Sequence, residues 1–216
     1  MSARPSPAVC NFRASADAGA LITARCDAAQ RRLDALSEDA RIAALADTRP
    51  LHAALFAGLA PDRWPDAVGV WRGTPGTSLV AAPRAVFLAR LMPGLRFRDL
   101  CLPAAEVPGA MAALGVDLRQ LWIERPGRDD PWRDAAFAVL AEVTARFFRI
   151  HPYMDGNGHV WRLTLPLLGV RLGLRIRNSW TIHRRPYGPE FSLALQWYGD
   201  HPAILADQLR RWLAPE

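Results

Sequence analysis

His151-Pro152-Tyr153-Met154-Asp155-Gly156-Asn157-Gly158-His159-Val160-Trp161-Arg162 lies between two stretches of helical periodicity. Pro152 stops the helix before it, because its ring cannot continue the hydrogen-bond ladder. Gly156, Asn157 and Gly158 are residue types that tolerate positive φ, so their backbone N–H groups can turn toward one point and form an anion nest. A helix starting near Gly158 or His159 aims its unpaired N–H groups and positive dipole end at the same point. Arg162, one turn further on, can reach a second phosphate. Asp155 at the lip can hold a magnesium ion that keeps most of its waters, and His151 can take a proton from an incoming hydroxyl. Singly, each part also reads more plainly, as a turn, a capping or core histidine, a turn aspartate and a solvated arginine. His151, Asp155 and His159 are also possible transition-metal ligands, but no cysteine or further carboxylate at ligand spacing joins them. Together and in this order, the parts read as a phosphoryl- or nucleotidyl-transfer site without a lysine.

Outward from the motif, Asp129-Asp130-Pro131 opens a helix through Ile150, with Phe137, Leu140, Val143 and Phe147 on its apolar side. On the other side, Leu163–Gly173 continues the motif helix, and Pro166 within it should kink it. Residues 1–17 are rich in Pro, Ser and Ala and read as a flexible arm. Leu21, Ile22, Cys26, Leu33, Leu36, Ile42 and Leu45 then recur at helical spacing, as two helices broken near Ser37-Glu38. Thr48 is a candidate N-cap for a short helix carrying Leu51, Leu55, Phe56 and Leu59. Between Val68 and Pro103 the pattern changes. Apolar, β-prone runs flank Gly73-Thr74-Pro75-Gly76 and Pro93-Gly94, and Leu95–Cys101 alternates with period two, which are hairpin signals. Val107, Met111, Leu114, Leu118 and Trp122 restore the helical period. Trp180–Leu213 reads as a helical tail with Trp197, Leu205 and Leu209 in its core. The expected architecture is mainly helical, a single domain over 18–216 with one small β excursion.

None of the 216 residues is lysine; the 27 basic residues are all arginine, against 21 acids, for a formal charge of +6. That excludes a Walker-A loop, Schiff-base chemistry, and the kinase and penicillin-binding signatures, each of which needs a lysine. No apolar run approaches the ~18 residues of a membrane span. Cys10, Cys26 and Cys101 are too few and too widely spaced for a disulfide framework or a zinc knuckle, which favours a reducing cytoplasm. Charge alone points to nucleic acid, but the arginines read better as compositional bias, which argues against that partner.

The quoted stretch resembles the signature of the Fic (filamentation induced by cAMP) proteins, His-Pro-Phe-x-Asp/Glu-Gly-Asn-Gly-Arg-x-x-Arg. Leu51-His52, Leu55-Phe56 and Gly69-Val70-Trp71-Arg72 resemble the family's upstream helix and small-aromatic-Arg segment, and Leu102–Met111 the segment after its flap. The likeness spans roughly 48–175, leaving 176–216 as the helical tail. It implies an all-α, mainly helical fold with a small β-hairpin flap within 68–103, along which a target protein docks as an added strand. It also implies transfer of AMP from ATP to a Ser, Thr or Tyr hydroxyl of that target. By position, His151 is the general base, Asp155 holds Mg2+, Gly156, Asn157 and Gly158 cradle the phosphates, and Arg162 neutralises the outer phosphate. The setting is a bacterial cytoplasmic toxin or a secreted effector, with a small antitoxin as a possible partner and no membrane.

Two positions depart from that signature. Tyr153 for Phe adds a hydroxyl that needs a partner. His159 replaces the first arginine with a shorter, mostly neutral group. The expected consequences are weaker triphosphate binding, another donor, or activity that rises as pH falls toward the imidazole pKa; the alternative is a module that binds nucleotide without turnover. The autoinhibitory pattern Ser/Thr-x-x-x-Glu-Gly/Asn is absent, since Asp34, Leu102, Gln120, Ala138, Pro186 and Trp212 precede the six glutamates by four.

Overall fold

Residues 157–171 are apolar on nearly every side of a helical wheel, so this stretch must sit inside the molecule. The computed structural model describes residues 10–13, 17–80, 101–124, 130–177 and 179–215, and among these residues seven other helices surround that stretch. In chain order these are α1 (Ala18–Asp34), α2 (Glu38–Ala46), α3 (Arg49–Phe56), α4 (Val107–Ile123), α5 (Asp130–Ile150), the motif helix α6 (Asn157–Arg171), α7 (Pro189–Gln196) and α8 (Pro202–Arg210). From His159 through Gly169 every residue of α6 is buried. α1, α2 and α5 pack directly on it, α4 bridges α2 and α5, and α8 lies along α5.

Local signals explain most boundaries. Ser37 caps α2 by accepting from the Ala40 N–H at 3.3 Å. Thr48 stands before α3 but makes no cap bond; its hydroxyl is 2.7 Å from the Tyr153 hydroxyl instead. α6 runs on through Pro166. A proline there removes the bond to the Arg162 carbonyl four residues back, and the Trp180 indole N–H takes that carbonyl at 3.0 Å. A side chain from outside the helix thus fills the gap in its ladder.

The mainly helical fold with a small antiparallel sheet is as expected, and three details of the expectation change. The sheet found among the described residues is no flap: β1 (Leu174–Ile176) pairs antiparallel with β2 (Leu213–Pro215), Arg175 opposite Ala214, tying the end of α6 to the end of the chain. Residues 68–80 form turns instead of a ladder. Gly73 (φ +73) closes that loop by donating to the Leu79 carbonyl at 2.8 Å, and a Cβ on it would lie 1.7 Å from the Ala104 oxygen. The rest of the expected flap, residues 81–100, lies outside the described residues. The arm expected over 1–17 is anchored at Cys10–Arg13, where Phe12 is 1% exposed and stacks on Phe56 at 4.7 Å. In the tail, Leu205 and Leu209 are core, whereas Trp197 is 46% exposed.

Among the described residues no helix is long and apolar enough to cross a membrane.

Candidate active site

The loop between α5 and α6 is fixed by groups brought from far along the chain. His151 has φ +48, outside the regions favoured by non-glycine residues. Its N–H donates to the Phe147 carbonyl at 2.9 Å, and its carbonyl accepts from Arg72 Nε at 2.8 Å. Arg72, fully buried, also donates through Nη2 to the carbonyls of Ile150 and Leu102, and its backbone N–H donates to the Pro152 carbonyl. Asn157 folds its amide back on the loop, accepting from the Tyr153 N–H at 2.9 Å and donating to the Tyr153 carbonyl at 2.8 Å. Its side chain is therefore occupied in shaping the loop, and only its backbone N–H is left to face a ligand. The Tyr153 hydroxyl finds the partners it needs in Thr48 and the Trp71 indole N–H.

Gly156 is the N-cap of α6 at φ +83. A Cβ there would lie 2.3 Å from the Phe56 ring, so both its conformation and its neighbours demand glycine. Of the three residues expected to nest an anion, it alone has positive φ; Asn157 and Gly158 are helical and offer the unpaired amides of a first turn. Arg162, 1% exposed, lies back over Gly158, where an added Cβ would meet Nη1 at 2.9 Å. Its Nε donates to the Ile182 carbonyl and its Nη1 to the Tyr187 hydroxyl. Among the described residues no carboxylate pairs with it, and burial lowers its pKa. A buried cation with only neutral partners beside a helix N-terminus is a receptor for an anion.

Asp155 sits at the rim, with Oδ1 accepting from the Gly156 N–H at 2.7 Å and Oδ2 from the Phe12 N–H at 3.0 Å. Each oxygen keeps a further lone pair, so the carboxylate suits a hydrated Mg2+ that takes its remaining ligands from water and phosphate.

Of the consequences expected of His159, the rise of activity with falling pH is the one its surroundings oppose. The ring is 6% exposed, and burial, helped by Arg162, Arg13, His183 and Arg185, pushes its pKa down to about 3. The imidazole stays neutral throughout the pH range in which activity was expected to rise. The positive charge absent from this position comes instead from the arginines around it, with Arg13 and Arg185 supplied by the N-terminal segment and the loop before α7.

His151, Asp155, Gly156, Asn157, Gly158, His159 and Arg162 all line one cleft of about 1030 Å³, together with Arg13, His183, Arg185 and Tyr187. The motif had no means of naming the last four, which arrive from distant segments. His52 also escaped notice as a support of the loop. It accepts from the Gly69 N–H through Nδ1 at 2.9 Å, which leaves Nε2 to donate to the Asp155 carbonyl at 3.0 Å. Both nitrogens are thereby committed to the neutral ring, and burial pushes the pKa down to about 4. An unfolded chain takes up that proton at about pH 6.5. Stability from this group is therefore complete above pH 6.5 and falls as pH drops from 6.5 toward 4, by at most about 1.4 kcal/mol per pH unit. Urea titrations at pH 7, 6 and 5 in EDTA should show this slope, reduced in His52→Gln; an equal slope in both proteins would mean that other groups cause it.

No family model matches the chain, and no curated protein does. Solved structures do. The N-terminal Fic domain of a cell filamentation protein from Bartonella quintana, a VirB-translocated Bep effector with bound ADP, aligns over 99% of this chain and 94% of its own at 18% identity, TM-score 0.60. A second structure of that Bartonella quintana domain covers 90% and 83% at 18% identity, TM-score 0.55. BepC from Bartonella tribocorum, with bound AMPPNP, covers 90% and 87% at 17% identity, TM-score 0.56. The chain thus has the fold of a Fic domain.

Proposed function

We propose that this chain is a Fic-type nucleotidyltransferase that moves AMP from ATP to a Ser, Thr or Tyr hydroxyl of a target protein. The observation that carries the reading is the meeting of His151, Asp155, the first amides of α6 and Arg162 on one cleft. The bound ADP and AMPPNP of the two Bartonella domains support a nucleotide as its occupant. The target hydroxyl oxygen bonds to the α-phosphorus, the bond from that phosphorus to the α,β-bridging oxygen breaks, and pyrophosphate leaves. His151 accepts the hydroxyl proton as the new bond forms. The amides of Asn157 and Gly158 hold phosphate oxygens, and Arg162, with Arg185 and Arg13 nearby, opposes the charge of the outer phosphates. Asp155 would hold Mg2+, which supplies charge neutralisation on the α- and β-phosphates. The target would dock along residues within 68–103, in a cell that makes the protein as a toxin or receives it as an effector.

A second reading is favoured by one observation. Both Asp155 oxygens already accept backbone N–H groups, one from the N-terminal segment, which suits a nucleotide-holding module with slow or no turnover. Incubating the chain and Mg2+ with cell lysate and each of ATP, GTP, UTP and CTP, labelled at the α- or the γ-phosphate, separates the two. Transfer predicts protein bands from α-labelled ATP that lysate alone lacks, and no band added to those of lysate alone from the γ-labelled form. Bands from another α-labelled nucleotide would change the donor. No band from any, with nucleotide still retained on the protein, would establish the binding module.

A further inference from the structure

Cys26 of α1, His159 of α6 and His183 of the loop before α7 bring one ligand atom each to a common point, all within 4.8 Å of one another. His159 Nε2 and His183 Nδ1 are 3.4 Å apart. Two imidazole nitrogens on a tetrahedral zinc, each ~2.0–2.1 Å from the ion, are separated by about 3.3–3.4 Å. With the three atoms within 4.8 Å of one another, the thiol needs a shift of at most about 1.2 Å to reach the matching sulfur–nitrogen separation of about 3.6 Å. We propose that Cys26, His159 and His183 form a binding site for a zinc-class divalent ion whose fourth position opens into the cleft.

The donor chemistry agrees. One sulfur and two imidazoles are the borderline-soft set that selects Zn2+ or Co2+ over Mg2+. Cys26 and His159 are nearly sealed from water, at 1% and 6% exposed, while His159 and His183 line the same cleft as His151 and Arg162. Three protein ligands with the fourth direction left toward a pocket is the arrangement of a zinc that accepts an outside ligand. Burial holds the metal-free thiol protonated, with its pKa near 11; coordination would release that proton, as it does for any ligating cysteine. Arg162, Arg13 and Arg185 stand close enough to affect His159. They oppose a dication, so the ion is held best when an anion is present, the thiolate offsetting one charge and a phosphate oxygen in the fourth position offsetting more. An ion here would supply the positive charge that an arginine would otherwise bring to position 159. That phosphate contact rests on the nucleotide reading; the ion site itself does not.

The experiment uses the full chain stripped with EDTA, then titrated with Co2+ and with Zn2+. The expected result is one ion per chain, with intense tetrahedral Co2+ absorption and a thiolate-to-metal charge-transfer band. Cys26→Ala should lose that band, and His183→Ala, on a partly exposed loop, should weaken Zn2+ binding at least 10-fold with its circular dichroism unchanged. Pyrophosphate should tighten Zn2+ at least 10-fold, and Zn2+ should tighten pyrophosphate by the same factor, as linkage requires. Absence of the charge-transfer band, or equal Zn2+ affinity in wild type and His183→Ala, overturns the ion site. Zn2+ binding that leaves pyrophosphate unaffected overturns the open position. ADP affinity measured in EDTA tests nucleotide holding by itself, so failure of either reading is seen separately.

Discussion

His151→Ala should lower the rate of label transfer from ATP to protein by ~10²–10⁴-fold, the usual contribution of a positioned general base. Nucleotide affinity should stay within about twofold, because the phosphate-facing groups proposed here are the amides of α6 and Arg162, which the substitution leaves in place. The fold should also survive. His151 is held at φ +48 through its backbone, by the Phe147 carbonyl on its N–H and by Arg72 on its carbonyl, and neither bond uses the imidazole. The loss should therefore appear in kcat with little change in KM for ATP, the pattern of an interaction made in the transition state. Added imidazole should restore part of the rate by entering the vacated space as a free base. If His151→Ala instead loses nucleotide and keeps its rate at saturation, the histidine is a binding group and the base lies elsewhere.

The parts of this site that were legible in the sequence are the local ones. Pro152, Asp155 and the Gly156–Gly158 turn act on neighbours within a few residues, so their spacing alone foretold a helix end and a new helix start, with Gly156 at positive φ between them. The Ser37 cap is legible for the same reason. What was hidden depends on partners far along the chain. Cys26, His159 and His183 belong to three different segments, and no ligand spacing connects them. The pKa of His159 was misjudged because the sequence shows a histidine without showing its burial or the arginines brought to it from both sides. The reading of 68–80 as a hairpin failed differently. Its apolar residues are spent on the core, Trp71 and Leu79 both being buried, and Gly73 turns the chain too tightly against Ala104 for a ladder to extend. Gly69-Val70-Trp71-Arg72 stood in the sequence as no more than a family-like string. In the fold it supplies the N–H that fixes His52, the indole on Tyr153 and the guanidinium that holds the loop between α5 and α6.

That guanidinium should carry the largest stability effect outside the apolar core. Helix α5 ends at Ile150, and its last carbonyls have no partner within the helix. They form the negative end of the helix dipole and are shut away from water, so a cation is the best group to receive them. Arg72 does so with Nη2 on Ile150, and it also receives the His151 carbonyl just beyond the helix through Nε and the Leu102 carbonyl through Nη2. Arg72→Met keeps much of the apolar stem and removes all three bonds, leaving buried carbonyls that each cost ~1–3 kcal/mol when unsatisfied. The individual losses overlap because one planar group serves all three, so the expected total is about 3–5 kcal/mol. Arg72→Lys retains the charge but presents it as a point and not a fork; it should recover less than half of that loss. Urea unfolding of the three proteins measures both values. Because the Arg72 side chain also holds His151 by its carbonyl, the lysine variant should lose rate in addition to stability, with kcat falling further than KM rises. A methionine variant within about 1 kcal/mol of wild type would mean that the Arg72 backbone bond to Pro152 holds the loop unaided, and that the buried fork is dispensable.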